Sequence, residues 1–366
     1  MQLMDRLRVS TLNVWALPGF MSAHVTERIP AIVDRVAELS VDVAAFQEVW
    51  TPRARRLLVE HGREAGLLPA WSADRSPGGL FVLTSLPVSR TSFTRYALAG
   101  LPQRLQHVDY YGRKGFAEVE LATSAGPLVL VVTHLHARYS DPNGYDEYLG
   151  MRSAQVVQLA AFIAAVEAPC IAVGDFNFRE DGPEYSALTS LTGLLDAAAT
   201  LDQRRPTSVP GNPYHGIGHH AEERIDYVFS GAGVAVRDIQ RDFDQPLIFD
   251  GAPGAYSDHA GLLADVTVSA APSETSSPDP TAIGLLATLM EQGRAETRRR
   301  KIGQRCWGLA LLAAPMLARR RLGSAATRLG VGVGAVVLLF AEWVARNEAA
   351  GYGEVETMLR SMAARR

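Results

Sequence analysis

The chain has 366 residues, 47% hydrophobic and 20% charged, which excludes wholesale disorder and allows a large core. Its two cysteines, Cys170 and Cys306, exclude a disulfide framework and a four-cysteine zinc site. The net charge of −3 hides a division: residues 1–270 hold 22 basic and 31 acidic side chains, residues 271–366 hold 14 and 8. An acidic body is a poor nucleic-acid binder, and no nucleic-acid partner is expected. A basic, apolar tail suits an anionic membrane surface instead. No signal-peptide pattern precedes the first strand, so the expectation is a protein kept inside the cell.

In chain order, RLRVSTLNVWAL begins as a strand, and residues 26–39 place Ile29, Ile32, Val33 and Val36 at helical spacing. VDVAAFQEVW reads as a buried strand ending in a polar pair, and GGLFVLTSLPV as another strand. KGFAEVELAT and PLVLVVTHLHA flank a turn at 124–127 and predict a hairpin. Residues 151–167 predict an apolar-faced helix; CIAVGDFN, RIDYVFS and AGLLADVTV predict strands. Mixed strands and helices with hairpins exclude a purely parallel sheet. They favour an α/β fold of four layers, two packed mixed sheets flanked by helices.

The Pro/Ser-rich stretch 271–280 reads as a linker, dividing an α/β body (1–270) from a helical tail (281–366). Asp279-Pro280 reads as a helix cap followed by proline at the first helical position. Apolar segments follow at 306–318 and 329–345, with Arg319, Arg320 and Arg321 between them. The first covers roughly 20 Å as a helix and the second roughly 26 Å, against a ~30 Å hydrocarbon core. Gly330 and Gly334 have the small-xxx-small spacing of closely packed helices, which allows self-association through the tail. The expected arrangement is membrane association, spanning, re-entrant or interfacial, with the 1–270 body on the cytoplasmic side. The alternative is a soluble helical hairpin docked on the body or on another subunit.

Polar clusters stand at the ends of the apolar strands: Asn13 (TLNVW), Glu48 (FQEVW), His134 (VTHLHA), Asp175 with Asn177 (VGDFN), and Asp258 with His259 (YSDHA). Asp226 lies just inside RIDYVFS. Carboxylates, amides and imidazoles gathered in one cleft repel one another unless a cation joins them. Oxygen ligands of this kind suit Mg2+, and an imidazole beside a carboxylate suits a general base. His215, His219 and His220 have a spacing that a metal can bridge, but a glycine-rich loop over the cleft is the better reading. His136 is expected to face away from His134. Tyr139, Tyr145 and Tyr148 are either headgroup contacts or ordinary loop tyrosines.

LNVW, QEVW, THLHA, GDFN, RIDYVF and SDH occur in the order of the endonuclease/exonuclease/phosphatase superfamily, which residues 7–268 resemble. LNVWALP, THLHARY and the segment from Asp109 to Lys114 look like its neutral sphingomyelinase branch. The resemblance implies a Mg2+-dependent phosphodiesterase of phospholipase C type, with Mn2+ as a substitute ion. It would act on sphingomyelin or a related sphingolipid or lysophospholipid in a membrane. A phosphoinositide phosphatase or nuclease of the same superfamily is the alternative, and a non-catalytic membrane adaptor is the contrasting class. By resemblance Glu48 and Asn13 would hold the metal, His259 would be the general base and Asp226 its orienting partner. Asp258 would fix the metal and water network, Asp175 and Asn177 would position water, phosphate and leaving group, and His134 would bind phosphoryl oxygens. Asp109 and Lys114 match a segment that the branch needs for activity.

Overall fold

The computed structural model of the chain describes residues 4–71, 74–139, 144–215, 221–270 and 279–364. His219, His220 and most of the expected linker lie outside the described residues. β1 (Met4–Ala16) leads to α1 (Val25–Glu38), β2 (Val43–Val49), α2 (Pro52–Glu64), the short β3 (Leu68–Pro69) and β4 (Phe81–Thr84). Then come β5 (Val88–Arg95), the one-turn α3 (Asp109–Gly112), the hairpin β6 (Gly115–Thr123) and β7 (Gly126–His134), α4 (Leu149–Ile163) and β8 (Cys170–Asp175). They are followed by α5 (Pro183–Thr192), β9 (Leu195–Asp196), α6 (Ala197–Thr200), β10 (Asp226–Ser230) and β11 (Val234–Asp242). A small hairpin, β12 (Leu247–Phe249) and β13 (Ala252–Gly254), precedes β14 (Gly261–Ser269). Two long helices follow, α7 (Pro280–Leu317) and α8 (Arg319–Ala364). GGLFVLTSLPV is split at Pro87: its two parts, β4 and the start of β5, belong to different sheets.

One sheet has the order β11-β14-β1-β2-β4-β3 and the other β5-β6-β7-β8-β10-β9. β1–β2 and β7–β8 are parallel, while β1–β14, β6–β7 and β8–β10 are antiparallel, so both sheets are mixed. Side-chain alternation sorts the apolar residues into three cores. Val9, Val43, Leu130, Ile171 and Val228 meet between the sheets. Leu12, Phe46 and Phe81 pack outward under Ile29, Ile32 and Leu58 of α1 and α2. Val129, Val131, Ala172 and Tyr227 pack outward under α4 and α5. The result is the expected four-layer sandwich.

The tail does not hang free of this body. Leu286 and Met290 of α7 and Tyr352, Val355 and Leu359 of α8 belong to the same core cluster as α4 and α5. α7 starts as expected: the Asp279 carboxylate accepts from Thr281 N at 2.8 Å and Pro280 is at the first helical position. α7 and α4 touch where Gly293 meets Gly150; a Cβ on Gly150 would lie 2.7 Å from the Gly293 Cα. Beyond that contact and the Tyr145–Glu296 bond, α7 and α8 pack chiefly on each other. Gly330 faces Pro315 and Gly334 faces Leu312, so this small-residue face is used inside the hairpin. Glu342, within the second apolar run, is neutralised by Lys301 at 3.0 Å, Arg305 at 2.5 Å and Arg346 at 3.3 Å. Among the described residues one helix, Gly323–Ala364, is long and apolar enough to cross a membrane, with a mean hydropathy of 1.7 in its apolar window. The 306–318 run forms the outer end of α7.

Candidate active site

The strand alternation that builds the inter-sheet core also builds the site. Residues 9, 43, 130, 171 and 228 point inward. Two or four residues toward the same end of the sandwich, the inward positions become Asn13, Gln47, His134, Asp175 and Asp226. Register then sets them in a row: His134 pairs with Asp175 across β7–β8, and Asp175 with Asp226 across β8–β10. Glu48 follows Gln47 and by alternation would point outward. Its backbone is left-handed, φ 59°, which turns the carboxylate back into the cleft. Asn177, φ 51°, and Trp15, φ 46°, share this sparsely populated conformation beside the site.

The structure brings every sequence-predicted residue to this one end. Asn13 Nδ2 donates to Glu48 Oε1 at 3.2 Å and to Asp175 Oδ2 at 3.0 Å, bridging the two sheets. His134 Nε2 lies 3.3 Å from Asp175 Oδ2 and 3.9 Å from Glu48 Oε1. Asn177 Nδ2 donates to Leu135 O at 3.1 Å, and its N–H donates to Asp175 Oδ1 at 3.1 Å. His259 Nδ1 donates to Asp226 Oδ2 at 2.9 Å, leaving Nε2 as the basic atom. Ser257 Oγ donates to Asn13 O at 2.5 Å and lies 3.1 Å from Asp258 Oδ1, fixing the loop that carries Asp258 and His259. Lys114 is buried, pairs with Asp109 and donates to Leu135 O at 3.0 Å, the carbonyl that Asn177 also uses.

Burial and like charge decide the protonation states. Desolvation, helped by Asp258, pushes Glu48 up to about 7. Desolvation, helped by Asp226, pushes Asp175 up to about 6. Burial also drives His134 well below the ordinary imidazole range, so it is neutral. For His259 burial acts downward, but the Asp226 carboxylate overcomes it and holds the imidazole well above 6.5. Burial would raise Asp109, yet the Lys114 ammonium beside it holds the carboxyl well below its usual value.

Donor chemistry tests the fit of a divalent cation. Among the described residues, Glu48 Oε2 and Asp226 Oδ1 are buried oxygens with no hydrogen-bond partner. Asp175, Asp226 and His259 offer ligand atoms within 4.8 Å of one another. Orphaned carboxylate oxygens in a crowded acidic cleft are what a hard cation satisfies. The site fits such a group.

As expected, His136 is turned from the cleft toward α4: its backbone N–H donates to Gln155 Oε1 at 2.8 Å and its ring stacks on Tyr148 at 4.0 Å. Tyr148 is therefore buried and not available as a headgroup contact; Tyr139 is half-buried and donates to Asp109 Oδ2 at 2.7 Å, and Tyr145 is exposed. His215 has its Nδ1 2.9 Å from Val209 O. Arg28 was not legible as part of the site. Its guanidinium is fully buried and donates to the carbonyls of Val14, Trp15, Ala23 and Tyr256 at 2.8–2.9 Å. It ties the exit of β1 to the loop before Asp258. The signal was a charged residue on the apolar stripe of α1, four positions before Ile32.

A family model, Endonuclease/Exonuclease/phosphatase family, matches residues 10–259. The chain belongs to that family. It is a hydrolase acting on phosphoric ester bonds. A Drosophila melanogaster protein provisionally named neutral sphingomyelinase is 30% identical, with 80% of this chain and 67% of that protein covered. Human sphingomyelin phosphodiesterase 2 is 30% identical over 73% of this chain and 66% of its own length. The inositol phosphosphingolipids phospholipase C of Schizosaccharomyces pombe is 32% identical over 52% and 46%. The chain thus spans about two thirds of the first two relatives and under half of the third. A crystal structure of D. rerio TDP2 with a single-strand DNA product matches with a TM-score of 0.56 at 18% identity, covering 72% of this chain and 99% of that one. At that identity it supports the fold alone.

Proposed function

We propose that the chain is a divalent-cation-dependent, phospholipase C-type phosphodiesterase of membrane sphingolipids. It would hydrolyse sphingomyelin or a related sphingolipid or lysophospholipid to ceramide or a lipid alcohol and a phosphorylated headgroup. The observation that carries the reading is the His259–Asp226 dyad facing the Asn13–Glu48–Asp175 bridge at one end of the two sheets. The relatives' names supply the substrate class, and the acidic body with its apolar tail favours a lipid over a nucleic acid.

In this reading Glu48 and Asn13, with Asp175 and Asp226 at hand, hold the cation, for which Mg2+ is the proposed ion and Mn2+ a substitute. When bound, the ion supplies charge neutralisation on the phosphodiester oxygens. His259 Nε2 takes the proton of the attacking water while Asp226 holds the ring and compensates the imidazolium. Asp258 fixes the cleft water network, and Asp175 and Asn177 orient water and phosphate. Neutral His134 and cationic Lys114 complement the phosphoryl oxygens, with Asp109 and Tyr139 holding Lys114 in place. The tail associates with the membrane, with the catalytic domain on the cytoplasmic side.

The test is full-length protein with Mg2+ against sphingomyelin, inositol phosphosphingolipids, lysophospholipids, glycerophospholipids, phosphoinositides and DNA, with products identified. A phosphorylated headgroup from a sphingolipid is the expected product. Release of inorganic phosphate, or cleavage of DNA alone, would replace the reading with a phosphatase or nuclease.

A further inference from the structure

The direction in which the tail projects carries a conclusion about how the cleft meets its substrate. β7 ends at the site, at His134, and α4 runs back from that end toward the opposite one. Gly293 of α7 abuts Gly150 in the first turn of α4, and Tyr145, just before α4, bonds to Glu296. At the other end of α4, Ala161 lies beside Met358 and Met362 of α8. α7 therefore climbs antiparallel to α4 toward the catalytic end, and α8 descends parallel to it. From Thr297 to Leu317 α7 runs about 30 Å past the sandwich, on the side where the cleft opens. This free part exposes Ile302, Trp307 and Leu309, and the stretch of α8 packed on it exposes Leu329, Val336 and Leu339. Arg298, Arg299, Arg305 and their neighbours ring its base.

A second, separate feature points the same way. The β1–α1 loop, directly after Asn13 and Trp15, carries Pro18-Gly19-Phe20-Met21. Phe20 is 100% exposed, the most exposed large apolar side chain among the described residues. Leu105 and Tyr111, in the segment that enters β6 at the same end, are 66% and 55% exposed. The loop stands on the far side of the cleft from the tail, which packs on α4 and α5. An exposed phenylalanine in a tight apolar loop gains nothing in water, whereas burial in an acyl interface removes its apolar surface from water.

We propose that the catalytic end is the membrane-facing end: the α7–α8 hairpin enters the bilayer beside the cleft, and the Phe20 loop seats in the same leaflet on the opposite rim. The occupant of this apolar surface is a lipid bilayer, because an apolar stem ringed by arginines matches acyl chains below anionic headgroups. The cleft then opens directly onto the headgroup plane, and lipids of the near leaflet reach Glu48 and His259 without leaving the membrane completely. This rests on the lipid-hydrolase reading, and the test separates the two.

Full-length protein carrying Cys306→Ser, with Phe20→Cys or, at the opposite end, Ser124→Cys, is labelled with an environment-sensitive fluorophore. It is mixed with vesicles of phosphatidylcholine, phosphatidylserine and sphingomyelin, and flotation reports binding. The expected result is a blue shift and quenching by brominated lipid at position 20, with neither at position 124. Floating protein with a silent position 20, or a responding position 124, overturns the orientation while leaving the enzyme reading intact. Protein that does not float overturns both membrane statements. Phe20→Asp is expected to lower turnover on vesicles about tenfold and to leave turnover of detergent-dispersed short-chain substrate unchanged. Equal loss on both substrates would make the loop part of the cleft rather than a membrane contact.

Discussion

Glu48 and Asp175 are buried carboxylates bridged by one amide, and burial pushes them to about 7 and about 6. Both must be ionised to ligate a cation. Cation binding should therefore release protons at pH 6.5, release fewer at pH 8, and weaken as pH falls through 7. Titration calorimetry in two buffers of different ionisation enthalpy reads the protons directly; cation binding with no proton release at pH 6.5 would remove these carboxylates from the ligand set. The stability sign follows from the same shifts. With folded values above the ordinary ones, the pair's contribution is fully present below about pH 4 and is lost as pH rises through 6 to 7. The cation-free protein should lose melting temperature across that window, and Mg2+ should restore more of it at pH 8 than at pH 6. His259 is raised too, because the Asp226 carboxylate overcomes its burial, so its contribution to stability has the same sign: present below about 6.5 and lost at higher pH. The activity limb should rise with pH above neutrality, where the base becomes unprotonated. Asp226→Asn removes the charge that holds the imidazolium. The limb should move to lower pH while the plateau falls about 100-fold or more. A limb that stays in place would mean that another group is the base. These side chains were readable in the sequence because each stands at or near the end of an apolar run; alternation fixes the direction of Asp175 and Asp226, whereas that of Glu48 depends on its left-handed backbone, which the sequence does not announce. Arg28 was not readable, since its role depends on carbonyls from the end of β1 and from two loops, which only the fold assembles.

The central strands were legible for the same reason. β2, β7, β8 and β10 are apolar on both faces, and short continuous apolar runs announce buried strands. β5 and β11 were not. Both are sheet edges, and VSRTSFTR and VAVRDIQRD turn mostly polar side chains to solvent, so neither periodicity stands out. α2 was also missed in the sequence, although Thr51 caps it by accepting from Ala54 N at 3.1 Å and Pro52 starts it. Packing of the tail on α4 could not be read from composition, because its decisive feature is the absence of side chains at Gly150 and Gly293. That absence can be tested. Gly-to-Ala within a helix ordinarily gains up to about 1 kcal/mol. At Gly150 the added methyl meets backbone at 2.7 Å, and overpacking of this kind costs about 1–3 kcal/mol. Gly150→Ala should lower the melting temperature, whereas Gly353→Ala on α8, with nothing within 4 Å of its Cβ, should leave or raise it. Equal stabilisation by both would mean that α4 and α7 do not touch as described.

At the scale of the whole molecule the tail has two parts with different physical roles. Its inner part, around residues 282–297 and 348–362, buries Leu286, Met290, Tyr352, Val355 and Leu359 against α4 and α5. Its outer part exposes its apolar side chains. Deleting all of residues 271–366 removes both. Each large side chain withdrawn from that core forfeits about 1.5–3 kcal/mol, against a total stability of about 5–15 kcal/mol for a typical domain. The 1–270 fragment should therefore melt well below the full chain and expose an apolar face that drives aggregation. Replacing only residues 306–339 with a short glycine-serine linker keeps the docked helices and the Glu342 ion pairs while removing the exposed stem. That variant should stay soluble, bind Mg2+ and turn over dispersed short-chain substrate at the full-length rate. It should lose most of its rate on bilayers, where the stem raises the local concentration of substrate. Thermal melts and rates on both substrates, measured for both variants, separate the roles. A 1–270 fragment that melts with the full-length protein would show that the inner helices add nothing to the body. A linker variant with undiminished rates on bilayers would show that the apolar stem is not what brings the enzyme to its substrate.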